Sequence, residues 1–193
     1  MNPAARLTVL VGVLAFAPAC DRARPDAGVA VDSTLSREEA LARFRADLPP
    51  VNTLAGGATS REQLVATFLE RLERRDSLGL AALAVTPAEF GYLYYPTTPQ
   101  SLPPYDLSPS LFWFTLQGNS RNGLLRALEH RGGQPTRYVD HGCTPRSEGK
   151  NTIWGYCTVR YVAATGDTVA ESLFGLILER GGAFKFLSFA NKL

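Results

Sequence analysis

Histidine occurs only twice among the 193 residues and cysteine three times. No two cysteines stand in a Cys-x-x-Cys pair, so a zinc or redox centre lacks both the spacing and the number of ligands it needs. No glycine-rich stretch forms a phosphate cradle, and no serine sits in an activated elbow, which removes the common marks of nucleotide binding and acyl transfer. Neither sign of charge is in excess, with 20 basic against 18 acidic residues, so the basic stripe that nucleic acid requires is missing. No cofactor and no nucleic-acid partner is expected. The apolar run from Leu7 to Ala17 falls short of the about 20 residues that a membrane-spanning helix needs.

What is present begins with that run. One cation, Arg6, precedes it and small residues, Ala17-Pro18-Ala19, close it, which is the layout of a secretory signal peptide over residues 1–19. The cysteine that follows makes Ala17-Pro18-Ala19-Cys20 resemble the lipobox of bacterial lipoproteins, in which the cysteine is acylated (with palmitate among its acyl chains) and becomes the new N-terminus. The alternative is an ordinary signal peptide cut after Ala19, with Cys20 left as a thiol. The resemblance implies an exported chain held on a bacterial membrane by lipid at Cys20, on the periplasmic or cell-surface side. Asp21 resembles an inner-membrane retention signal. Three cysteines leave one odd in an exported chain, so acylation of Cys20 frees Cys143 and Cys157 to pair.

Beyond Cys20 the sequence divides into a tether with a short helix, residues 20–58, and one domain, residues 59–193. Residues 21–34 carry few large apolar side chains and read as a flexible tether. Ser36 and Glu39 form a capping box ahead of Leu41, Phe44 and Leu48, a short amphipathic helix that either packs on the domain or stays loose. Ser60 and Gln63 open a helix whose apolar face is Leu64, Val65, Phe68, Leu69 and Leu72. Helices over 78–85 and from Pro87 to near Tyr94 follow, the latter capped by Thr86 with Glu89 at its third position.

Prolines between 96 and 109 predict an irregular loop, either a lid or a mobile excursion. A helix restarting at Ser108-Pro109 is expected to break at Gly118-Asn119, and another, capped by Ser120, to stop at Gly132-Gly133. From Gln134 the apolar period becomes two, with strands expected over 136–142, 152–163, 168–179 and 183–190. Gly166-Asp167 and Gly181-Gly182 fall at hairpin turns. Phe174 to Leu178 is apolar on both faces and reads as a central strand. The expectation is an α+β fold, with N-terminal helices packed on a curved antiparallel sheet of about four strands.

This order of helices and strands over residues 60–190 resembles the nuclear transport factor 2-like cone, the superfamily that includes ketosteroid isomerase and polyketide cyclases. The resemblance implies a long first helix and a curved sheet around a pocket. Such domains serve as enzymes, binding modules and assembly domains, so fold leaves function open.

Three constellations bear on chemistry. Cys143 and Cys157 flank the first expected hairpin and are candidates for a disulfide. Asp140 and His141 are the one candidate acid–base pair, but neighbours on a strand point to opposite faces, and the favoured reading is that both lie near the strand end, solvated or bonding the adjacent loop. His130 suits the C-terminal end of its helix. Tyr92, Tyr94, Tyr95, Phe112, Trp113 and Phe114 concentrate the aromatics, either as the wall of an apolar pocket or as core. Candidate ligand-binding residues are therefore Tyr92, Tyr95, Trp113, Asp140 and His141. A membrane-anchored binding or scaffold module, meeting a small apolar ligand or an envelope protein, is the favoured expectation. The alternative is an isomerase, cyclase or hydratase acting inside the cone.

Overall fold

The computed structural model describes residues 35–193. The signal peptide, Cys20 and the stretch 21–34 lie outside the described residues. Helices α1 (Arg37–Arg45), α2 (Arg61–Glu73), α3 (Ser77–Ala82) and α4 (Pro87–Glu89) precede a π-helical turn, Phe90–Tyr94, and two 3-10 turns. The long helix α5 (Pro109–Arg131) leads into strands β1 (Arg137–Glu148), β2 (Asn151–Val162), β3 (Thr168–Glu171), β4 (Leu176–Arg180) and β5 (Ala183–Ser188). These five strands make an open antiparallel sheet in the order β1-β2-β4-β5, with β3 also paired to β2. The fold is α+β.

Helix starts follow their caps. Ser36 with Glu39 and Thr86 with Glu89 form complete capping boxes. Ser60 accepts from the Gln63 amide, but the Gln63 side chain turns instead to Thr59. The α2 face formed by Leu64, Val65, Phe68, Leu69 and Leu72 is fully buried against the sheet. Phe68 lies 5.6, 5.3 and 5.9 Å from the rings of Phe174, Phe186 and Phe189. Each such buried side chain contributes about 1.5–3 kcal/mol, so this cluster dominates the stability of the unit.

A second cluster centres on Phe90, whose ring lies 5.6 Å from Phe44, 5.5 Å from Phe112 and 5.0 Å from Trp113. Through Phe44, α1 packs on the domain. Two hydrogen bonds from Arg45 to the Gly91 carbonyl, and two from Arg37 to the Pro96 carbonyl and the Ser101 hydroxyl, fasten it there. The proline-rich stretch is accordingly pinned rather than a free lid. Thr98 and Ser101 are buried, and the Tyr95 hydroxyl donates to the Leu107 carbonyl at 2.7 Å.

Three boundaries depart from the sequence expectation. Helix α5 runs unbroken through Gly118-Asn119, because tertiary contacts hold its far half in line. The Ser120 hydroxyl accepts from the Phe189 amide at 3.0 Å, and Asn191 donates to the Gly123 carbonyl at 2.8 Å. Strand β1 continues through Pro145 to Glu148, so the turn is the two residues Gly149-Lys150. As an edge strand, β1 tolerates a residue without an N–H. The expected strand 168–179 is two strands, parted at 172–175 where Leu173 and Phe174 turn into the core.

Candidate functional site

The break between β3 and β4 lies opposite an irregularity in β2. Gly142 pairs with Thr158 and Thr144 with Gly155, so Cys143 alone opposes both Tyr156 and Cys157. This is a β-bulge, and its first residue, Tyr156, takes the left-handed conformation at φ 50°. On the other edge of β2, β4 pairs only through Trp154 and β3 only from Val159. Residues 155–158 therefore have no strand beside them there.

The space so created is a cleft of about 950 Å³, open to solvent. Its walls are Thr144, Pro145 and Arg146 of β1, the bulge residues of β2, the crossover from Ser172 to Leu176, the C-terminal Ala190–Lys192 and Gln100. The Cys143–Cys157 disulfide is formed and fixes the bulge, with its Cα atoms 4.2 Å apart and Cys157 lining the cleft. Crosslinks of this loop size contribute on the order of 3 kcal/mol.

Two features single the cleft out as the candidate site. The Tyr156 side chain stands 92 % exposed at its wall, on a backbone conformation that costs a non-glycine residue about 1–2 kcal/mol. Its charged lining residues, Arg146 and Lys192, are both cations. Arg146 is partly neutralised by Glu148, which accepts from its Nε at 2.9 Å. Lys192 has no ion-pair partner among the described residues. The cleft's apolar surface comes from Pro145, Leu176 and Ala190, with the buried Ile153 and Phe174 beneath.

The residues anticipated from the sequence lie elsewhere. Tyr95 and Trp113 belong to the Phe90 cluster, and Tyr92 at its edge faces the Arg45 guanidinium 4.4 Å above the ring. Tyr94 is buried beside them, and burial pushes its hydroxyl up to about 12. Asp140 bonds Arg160 at 2.8 Å on the exposed surface. His141 Nδ1 meets the Tyr138 hydroxyl at 2.9 Å, and burial with the neighbouring Arg61 charge holds the imidazole below its usual range. The structure thus brings Tyr92, Tyr95 and Trp113 together around Phe90 and keeps Asp140 and His141 apart from them. His130 stands exposed in the last turn of α5.

Tyr156 was not singled out by sequence reasoning. The available signal was Gly155 inside a strand pattern, which marks a bulge or a close approach. A Cβ at Gly155 would lie 3.1 Å from the Leu176 side chain.

Among the described residues no three His, Cys, Asp or Glu side chains converge as metal ligands, and no helix is long and apolar enough to cross a membrane. No family model, curated protein or solved structure matches the chain.

Proposed function

We propose that the chain is an exported lipoprotein, acylated at Cys20, whose folded unit is an extracytoplasmic binding module. The cleft beside the β2 bulge takes an amphipathic anion, its apolar part on Tyr156, Pro145 and Leu176 and its charge near Lys192 and Arg146. The observation that carries the binding reading is Tyr156, a strained and exposed aromatic on the wall of an apolar cleft whose charged residues are both cations. Strain held at an exposed side chain serves no packing purpose, and ligand contact is its natural use. The compartment is supported by the Cys143–Cys157 bond, since disulfides persist outside the reducing cytosol, and by the odd cysteine left at Cys20.

On the order of elements, the unit is read as a variant of the nuclear transport factor 2-like cone in which the expected interior pocket is closed. Between α2 and the sheet stand Phe68, Phe174, Phe186 and Phe189, where an isomerase-like site would need converging acid–base groups. This favours binding over catalysis.

Titration of the purified protein with dodecyl phosphate, followed by amide chemical shifts, tests the reading. Shifts concentrated at Tyr156, Cys157, Leu176 and Lys192, and weakened by Lys192→Glu, are expected. Shifts spread over the Phe90 cluster, or none, would refute the cleft as the site.

A further inference from the structure

Helix α5 buries one face and leaves the other uncovered. Pro109, Leu116, Ser120, Gly123 and Ala127 point into the domain, while Leu111, Phe114 and Leu125 stand 53, 75 and 58 % exposed. At 100° per residue these three share one stripe with Gly118, Arg121 and Glu129, and among the described residues nothing lies within 4 Å of where a Gly118 Cβ would be. The loop that enters α5 adds two further exposed groups, Leu102 and Tyr105. Isolated exposed apolar residues are ordinary, but a stripe of large ones continuous with an apolar loop marks an interaction surface.

Charge and chain path point to the occupant. Charge on this face is sparse: Arg121 and Glu129 lie on the stripe and Asp106 in the loop. Arg126 is engaged by Asn191, so Arg121 is the cation on the exposed stripe. A surface of leucine and aromatic side chains with few charges of either sign suits the interface of a lipid bilayer. The N-terminal segment enters the domain on this side. Arg37, two residues after the first described residue, bonds the Ser101 hydroxyl and the Pro96 carbonyl, and Ser101 adjoins Leu102. Fourteen residues separate Cys20 from Leu35, a reach of at most about 50 Å.

We propose that the outward face of α5 and the loop before it, through Leu102, Tyr105, Leu111, Phe114 and Leu125, dock on the lipid surface to which Cys20 is anchored. This rests on the reading that Cys20 is acylated. The lipid holds the chain at the membrane and the stripe sets the orientation of the domain on it.

The test uses the chain from residue 20 onward with Cys20→Ser, so that no acyl chain contributes and the compact unit 35–193 is whole. Co-sedimentation is measured with vesicles of phosphatidylcholine alone and of phosphatidylcholine mixed with phosphatidylglycerol. Binding is expected on both kinds of vesicle, with a blue shift of tryptophan emission from the neighbouring Trp113. Leu111→Asp with Phe114→Asp should lower partitioning by about tenfold or more, while Thr165→Asp in the exposed turn after β2 leaves it unchanged. Equal melting curves show that the folds are intact, and Phe114→Ala alone serves if the double variant does not fold. Absence of vesicle binding, or a dimer that Phe114→Asp dissolves, would overturn the proposal. Acylation of the cellular protein, read separately by palmitate incorporation, distinguishes failure of docking from failure of the anchor.

Discussion

Replacing Tyr156 by glycine is expected to stabilise the fold while weakening ligand binding. Tyr156 adopts φ 50° at the bulge and is 92 % exposed, so its side chain contributes almost no burial to lose. Relief of the left-handed conformation returns about 1–2 kcal/mol, and the greater freedom of glycine in the unfolded chain removes about 0.5–1 kcal/mol. The net expectation is a gain of about 0.5–1 kcal/mol, a rise of a few degrees in Tm for a unit of this size. Alanine separates backbone from side chain. It keeps the strained backbone and loses only the ring, so Tyr156→Ala should unfold within about 0.5 kcal/mol of the parent. Urea unfolding followed by far-ultraviolet circular dichroism measures both, and dodecyl phosphate titration measures binding, which both variants should weaken. A glycine variant less stable than the alanine variant would refute the strain argument. Unchanged binding in both would remove the ring from the site.

Two glycines in one helix should respond in opposite directions to alanine. A Cβ at Gly123 would fall 2.0 Å from the Phe189 carbonyl oxygen, so Gly123→Ala should cost about 1–3 kcal/mol in urea unfolding, whereas Gly118→Ala meets open space and should gain up to about 1 kcal/mol. The buried pair of Lys185 and Glu89, 2.8 Å apart and almost wholly enclosed, offers a larger effect. Glu89 also accepts from the amides of Ala55 and Thr86. Glu89→Ala leaves the ammonium unpaired and should destabilise by about 3–5 kcal/mol in the same assay. Glu171 receives hydrogen bonds from Arg131 and from the Tyr161 hydroxyl, which hold its carboxyl below the ordinary 4.5. Its contribution is therefore full above that value and is lost as pH falls through the lower folded-state value. Glu171→Gln should flatten the acid limb of a stability–pH profile, and an unchanged limb would contradict it.

What the sequence disclosed follows from how local its causes are. Ser36, Ser60 and Thr86 cap their helices as their spacing implied, because a cap needs only the next three residues. The Cys143–Cys157 bond followed from counting cysteines. The continuity of α5 did not, since Gly118-Asn119 is a break by propensity and the force that overrides it comes from Phe189 and Asn191, some 70 residues away. Lys185 could be placed on the face with Leu187 and Phe189, but nothing local announced that Glu89 would neutralise it. The cleft was hidden for the same reason. It arises from the phase of β2 against three other strands, which period-two patterning does not encode, and only Gly155 hinted at it.

Where the chain resides and what Cys20 becomes decide how the protein works. Intact-mass measurement of the protein recovered from its native cells, after alkylation without reductant, addresses both. The expected species starts at residue 20, carries acyl mass on Cys20, takes up no alkylating agent and sits in the membrane fraction. A soluble chain beginning at Met1 with three alkylated cysteines would contradict the account.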